Sequence, residues 1–389
     1  MVKIHRKYFS NLIWFFLLLP ISIGSISVNP MIVVLYLLRR FSFKKLKGIT
    51  VSLPLFLANL ILIYGILFIS NGKPEIIAAQ FFNYLYLISL ILILTLNLEL
   101  DRQFLCSVIV ALCFIYSLWV LVAMKISGIA ISNPAEVKAG LRDYVVHWPQ
   151  RYSTLFAFAI IVCLSRISNN LYWAFCLVPI LLVDFLTFTR SAWLALIVGV
   201  ASYLLASAIR SRQLNFVVNF RYLLSVFFAI GTVAFLLNEK PELMAKVTIG
   251  FTIIWQYLVQ SFTSDTVSAG SDSIRLMVWD RAINLWEASP VFGTGFAGIN
   301  SLIPEIGSFH SQLIDYLSRT GIVGLGIYAY YWIFALGHYA RHAPDIFGGL
   351  VSIFVYGFFN ETTKLSYTGI LLFLLINLAL HNKRRRSTK

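Results

Sequence analysis

The 389 residues are 59% hydrophobic and only 12% charged, against about a quarter charged in an ordinary soluble domain. That balance excludes a soluble globular fold and predicts a polytopic membrane protein. A net charge of +15 would suggest nucleic acid in a soluble chain, but here the basic residues are distributed as a topology signal, and no nucleic-acid partner is expected.

Apolar blocks long enough to cross a hydrocarbon core of roughly 30 Å fall at approximately 9–25, 27–39, 50–69, 77–97, 103–124, 150–166, 170–187, 190–208, 221–238, 319–339, 344–359 and 366–381. The predicted fold class is therefore all-α: a polytopic integral membrane protein of about 12 transmembrane helices, one membrane domain over 1–389. The first two blocks are tight and could form a broken pair. The first lacks a small-residue cleavage site and runs on into the second, so no cleaved leader is expected. Cys106, Cys113, Cys163 and Cys176 all sit inside apolar blocks without metal-ligand spacing and are expected to be small core residues.

Orientation follows from Lys and Arg. With the N-terminus inside, the inward segments and their flanks hold 19 of the 31 basic residues, including Arg39-Arg40, Lys44, Lys45, Lys47, Arg210, Arg212 and the run Lys383 to Arg386. Basic residues favour the side that needs no translocation, so both termini are predicted to be cytoplasmic. The apolar segment 244–262 carries Lys246, Gln256 and Gln260, which are costly at bilayer depth, so it is expected to lie at the outer interface. Two outward loops then remain, 125–149 and 239–318. Loops of that length are usually functional.

Three outward arginines invite explanation, since cations on the translocated side work against insertion. Arg190, in "DFLTFTRSAWLALIVG", falls at the outer junction of two spans. It could snorkel to headgroups or aim a planar guanidinium fork at phosphate. Arg275 and Arg281 lie in "SDSIRLMVWDRAINLWEASP", where Ile274, Met277, Val278, Ala282 and Leu285 recur at helical spacing. Ser271 or Asp272 can cap this helix and Pro290 end it. Arg275 is the better phosphate candidate, because Asp280 adjoins Arg281; either could instead be a solvated surface arginine. Trp279 and Trp286 suit an interfacial depth or simple helix packing.

The stretch "GSFHSQLIDYLSRTGIVG" places one histidine at the mouth of a span. Ser308 is expected to cap a helix continuing into that span, with His310 in its first turn. The helix dipole there disfavours imidazolium, so the ring is expected to be neutral near pH 7 and able to take a proton. A structural histidine is the alternative. Asp315 and Arg319 stand at i,i+4 and are expected to pair. Asp184 is the clear acidic residue deep in a span, expected to hydrogen-bond a Ser or Thr of a neighbouring helix.

Three of these segments resemble the O-antigen ligase and polymerase superfamily. "TFTRSAWLAL" is similar to its T-x-S/T-R-x-x-x-L segment. "IRLMVWDRAINLWEASPVFGTGF" is similar to R-x-x-x-W…P-x-x-G-x-G-F. "HSQLIDYLSRTGIVG" fits H-[NSQ]-x9-G-x-x-G through His310, Ser311, Gly321 and Gly324. The resemblance covers about a third of the chain. It implies a metal-independent, inverting glycosyltransferase of GT-C-like architecture in the bacterial inner membrane, with its active site in the periplasm. Its donor would be a glycan on undecaprenyl pyrophosphate. Arg190 and Arg275 would hold the pyrophosphate and His310 would act as base, with Arg281, Arg319 and Ser311 as weaker candidates. No cofactor is implied, and no D-x-D pair stands on the outward segments. The Phe292 to Phe296 turn would bend the loop back over the site.

Two activities share these motifs. A polymerase of surface-polysaccharide repeats joins one lipid-linked unit to another, with a possible chain-length regulator as partner. An O-antigen ligase of lipopolysaccharide biosynthesis transfers the chain to a lipid A core acceptor. "GSFHSQLIDYLSRTGIVG" and "SPVFGTGF" resemble the polymerases more. A transporter of lipid-linked glycan is the reading from another class; its central cavity would carry charges from several spans.

Overall fold

The computed structural model describes residues 22–23, 26–27, 101–128, 152–168, 170–187, 189–211, 271–294, 310–360, 362, 368–369, 371–372, 374–376 and 378–379. The expected spans at 50–69, 77–97 and 221–238, the 244–262 segment and most of the first two spans lie outside these residues.

Where the first span was expected to run to residue 25, the chain is extended. Ser22–Ile23 (β1) pairs antiparallel with Ile26–Ser27 (β2), Ser22 opposite Ser27. All other described secondary structure is helical: α1 Arg102–Ile126, α2 Ser153–Arg166, α3 Tyr172–Leu186, α4 Arg190–Ser211, α5 Ser271–Ala288, α6 Gln312–His342 and α7 Pro344–Gly357, followed by helical residues within 368–379. Of these, α1, α6 and Ser191–Arg210 of α4 are long and apolar enough to cross a membrane, while α2, α3 and α7 are shorter apolar helices. In lipid a helix satisfies its own backbone groups, which is why apolar runs and helices coincide so closely here.

The chain forms two compact units, one of residues 1–109, 275–343 and 353–389, the other of 110–274 and 344–352. In the second, α2 packs against α3 and α4 and is buried from Ser153 to Cys163. Small residues let the helices approach closely, as membrane packing favours. A Cβ on Gly199 of α4 would overlap Ser352 and the Gly348 carbonyl of α7, and one on Gly349 would overlap the Phe158 ring. Cys106, Cys113, Cys163 and Cys176 are buried, as expected of core residues.

In the first unit, Tyr339 of α6 donates its hydroxyl to the Leu375 carbonyl at 2.6 Å. Arg102, opening α1, donates to the terminal carbonyl of α6 at His342, where a cation complements the helix dipole. Trp332 of α6 packs on Phe354, with ring centroids 5.1 Å apart.

Candidate functional site

The long helix α6 is two segments. Gly321 has φ 63° and ψ −164°, which breaks the helix between 312–320 and 322–342. A continuous helix would bond Ile322 N–H to the Ser318 carbonyl. Instead Ile322 donates to the Pro290 carbonyl at 2.9 Å, and the Ser318 carbonyl accepts from Thr294 N–H at 2.9 Å and from its hydroxyl at 3.2 Å. Val323 likewise donates to Val291 at 3.2 Å. The turn after α5 therefore supplies the partners that the break removes. Gly293, at φ 73°, crosses so closely that a Cβ would overlap the Arg319–Thr320 backbone. Residues 292–294 turn back against Ser318 to Gly321 at the break; 295–296, expected to help bend the loop over the site, lie outside the described residues.

This crossing fixes the direction of α5. Its buried Val278 and Ala282 pack against Ile314, with Leu285 beside them. Both α5 and the first segment of α6 run toward the break. Arg275 is three residues before Val278 and His310 four before Ile314. At roughly 1.5 Å per residue, Arg275 stands about one turn before the packed contact. Arg275 thus sits in the opening turns of α5, and His310 just ahead of α6. Met277, expected on the inner face, is exposed, because the stripe is narrower than the apolar spacing suggested. Arg281 is exposed. Trp286 packs locally, donating its indole N–H to Pro290 at 3.1 Å. Pro290 follows the end of α5 as expected, whereas Ser271 is already helical.

His310 departs from its predicted position. The helix begins at Gln312 with Ser311 as extended N-cap, so His310 precedes the cap and lies outside the first turn. Its φ is 52°, the left-handed region, and no other non-glycine among the described residues shares it. The ring is half-buried, beside the N-terminus of α6. Ser308 lies outside the described residues. Ser311 is buried and makes no side-chain capping bond.

Arg319 does pair with Asp315, Nε to Oδ1 at 2.5 Å, with both residues buried. The expected i,i+4 pair is thus present and buried.

Arg190 belongs to the other unit. It opens α4 directly after a short corner: α3 ends at Leu186, and the Thr189 carbonyl accepts from Ala192 and Trp193, starting the new helix. Asp184, near the end of α3, is buried, with the Ser153 hydroxyl of α2 as polar neighbour short of full hydrogen-bond geometry. The serine-neighbour expectation holds to that extent.

The backbone roles of Gly293 and Gly321 and the corner chemistry around Trp193 were missed in sequence. The i,i+3 spacing of Arg190 and Trp193 was the available hint. Among the described residues, no group of three or more His, Cys, Asp or Glu gathers as a metal site.

No curated protein matches the chain. Residues 174–329, which run from α3 through the first part of α6, match the family model described as O-antigen ligase. The stretch that carries Arg190, Arg275 and His310 is thus the one that matches this family, in line with the resemblance of its motifs to the O-antigen ligase and polymerase superfamily.

Proposed function

We propose that this membrane protein is a glycosyltransferase that polymerises surface-polysaccharide repeats. It uses a glycan on undecaprenyl pyrophosphate as donor, at the periplasmic face of the bacterial inner membrane. The reading is supported by the packing of α5 on the start of α6, where Val278 and Ala282 lie against Ile314. Arg275 stands three residues before that contact in α5, and His310 four residues before it, ahead of the α6 N-cap. Helix N-termini attract anions, and an arginine fork matches phosphate oxygens.

In the proposed reaction an acceptor sugar hydroxyl attacks the anomeric carbon. The bond from that carbon to the pyrophosphate oxygen breaks with inversion, and undecaprenyl pyrophosphate leaves. Arg190 and Arg275 offset the charge growing on the leaving group. His310 takes the acceptor proton, a contribution of about 10²–10⁴-fold.

A second reading, transfer to a lipid A core acceptor, is favoured by the description of the matching family model. Purified protein in detergent, supplied with lipid-linked repeat units alone, decides between them. A ladder of lengthened glycan with release of undecaprenyl pyrophosphate supports polymerisation. Product formed only after lipid A core is added supports ligation. No transfer with either acceptor sinks both and returns the transporter reading.

A further inference from the structure

The corner between α3 and α4 is tied by side chains from both sides. The Thr187 hydroxyl donates to the Asp184 carbonyl at 2.7 Å, and the Thr189 hydroxyl donates to the Thr187 carbonyl at 3.2 Å. From the first turn of α4, Trp193 reaches back over the corner. Its indole N–H donates to the same Asp184 carbonyl at 3.4 Å. Its ring lies on Phe185 of α3, with centroids 4.7 Å apart and planes 12° from parallel. The Thr187 N–H also points at that carbonyl, at 3.3 Å. One carbonyl near the end of α3 thus gathers three donors, one of them from α4.

A tryptophan has few rotatable bonds and a broad face, so a stacked and hydrogen-bonded indole fixes rotation as well as distance. Trp193 is three residues after Arg190, and residues at i,i+3 share a helix face. Holding Trp193 against α3 therefore sets which way the first turn of α4 faces. The two hydroxyl-to-carbonyl bonds set the curvature of the corner, and the Trp193 contacts add a hold on the rotation of the first turn.

We propose that Trp193 is the positioning residue for Arg190, orienting the first turn of α4 through the Phe185 stack and the Asp184 carbonyl. This rests on the reading of Arg190 as a pyrophosphate ligand. Bidentate recognition depends on orientation far more than a point charge does, so a rolled helix would lose affinity while the fold stays intact.

The test measures binding of undecaprenyl pyrophosphate to the full-length protein in detergent, together with melting temperature. Trp193→Phe keeps a stacking ring and loses the N–H; it is expected to weaken binding about 3–10-fold. Trp193→Leu loses both contacts and is expected to weaken it on the order of 10–100-fold. The decisive arm repeats both substitutions with Arg190→Ala. If Trp193 acts through Arg190, they add nothing there, since coupled residues are not additive. Equal losses with and without Arg190 overturn the proposal, as do lower melting temperatures with wild-type affinity. Should Trp193→Leu fail to fold, Trp193→Phe carries the comparison. If Arg190→Ala binds as wild type, the reading of Arg190 falls and the proposal with it. If Arg190→Ala loses binding while both Trp193 variants keep it, the proposal alone falls.

Discussion

Gly293 and Gly321 cross backbone to backbone, each with positive φ and each leaving no room for a Cβ against the other's neighbours. A backbone group stripped of its partner at membrane depth costs several kcal/mol. The break in α6 persists because the turn after α5 satisfies the groups it exposes.

Alanine at either glycine is expected to destabilise the protein. Left-handed backbone alone costs about 1–3 kcal/mol, and overlap with Arg319 or Val291 adds to it. Gly326 and Gly337 are the controls, since a Cβ at either meets nothing within 4 Å; alanine there should be neutral or stabilising by up to about 1 kcal/mol. Melting curves in detergent compare the four. Gly321→Ala melting together with Gly326→Ala would show that the crossing is loose.

Removing one partner of the Asp315–Arg319 pair leaves a buried charge. Arg319→Met should therefore cost about 3–5 kcal/mol. The double change Asp315→Leu with Arg319→Met should recover most of that stability, because an apolar pair often replaces a buried ion pair at no loss. Glycan extension should recover with it. Recovered melting without recovered activity would assign Arg319 to the substrate after all.

Arg190→Ala is expected to abolish extension, and Arg190→Lys to come close. Lysine would serve a snorkelling role among headgroups but lacks the planar fork for pyrophosphate. Normal polymer from Arg190→Lys at equal protein level would favour the headgroup role.

At His310 the left-handed backbone chooses the right control. Asparagine is the side chain that best tolerates positive φ, so His310→Asn should keep the fold while removing the base. Turnover should fall about 10²–10⁴-fold, with donor binding and melting temperature unchanged. His310→Gln should be as inactive. A His310→Asn protein that turns over normally would reduce the histidine to a structural turn residue.

Single cysteines at Ser271 and Ser301, in a background without the four native cysteines, should react with an impermeant maleimide in spheroplasts. One at Ser387 should not. The reverse labelling would place the 239–318 loop in the cytoplasm and remove the site from the periplasm.

The helices were legible because lipid makes hydropathy and helix the same statement: α2, α3 and α4 begin and end within a few residues of their apolar runs. The Asp315–Arg319 pair was legible from i,i+4 spacing, but not its burial, which depends on what packs around it. The start of α6 was misplaced because Ser308 and Ser311 offer the same capping chemistry, and spacing cannot choose between them. The break at Gly321 was hidden for a different reason. A glycine in a helical run says nothing by itself, and its partners, Pro290 to Thr294, lie some thirty residues away in sequence.

The contact of Gly199 with Gly348 has a consequence for traffic through the bilayer. Two helices touching backbone to backbone leave no slit that an acyl or isoprenoid chain could part. The α4–α7 pair is therefore closed where Gly199 meets Gly348. A lipid-borne substrate sliding in from the leaflet cannot pass between α4 and α7 at that point, and a larger side chain at Gly199 or Gly348 would push the two helices apart there.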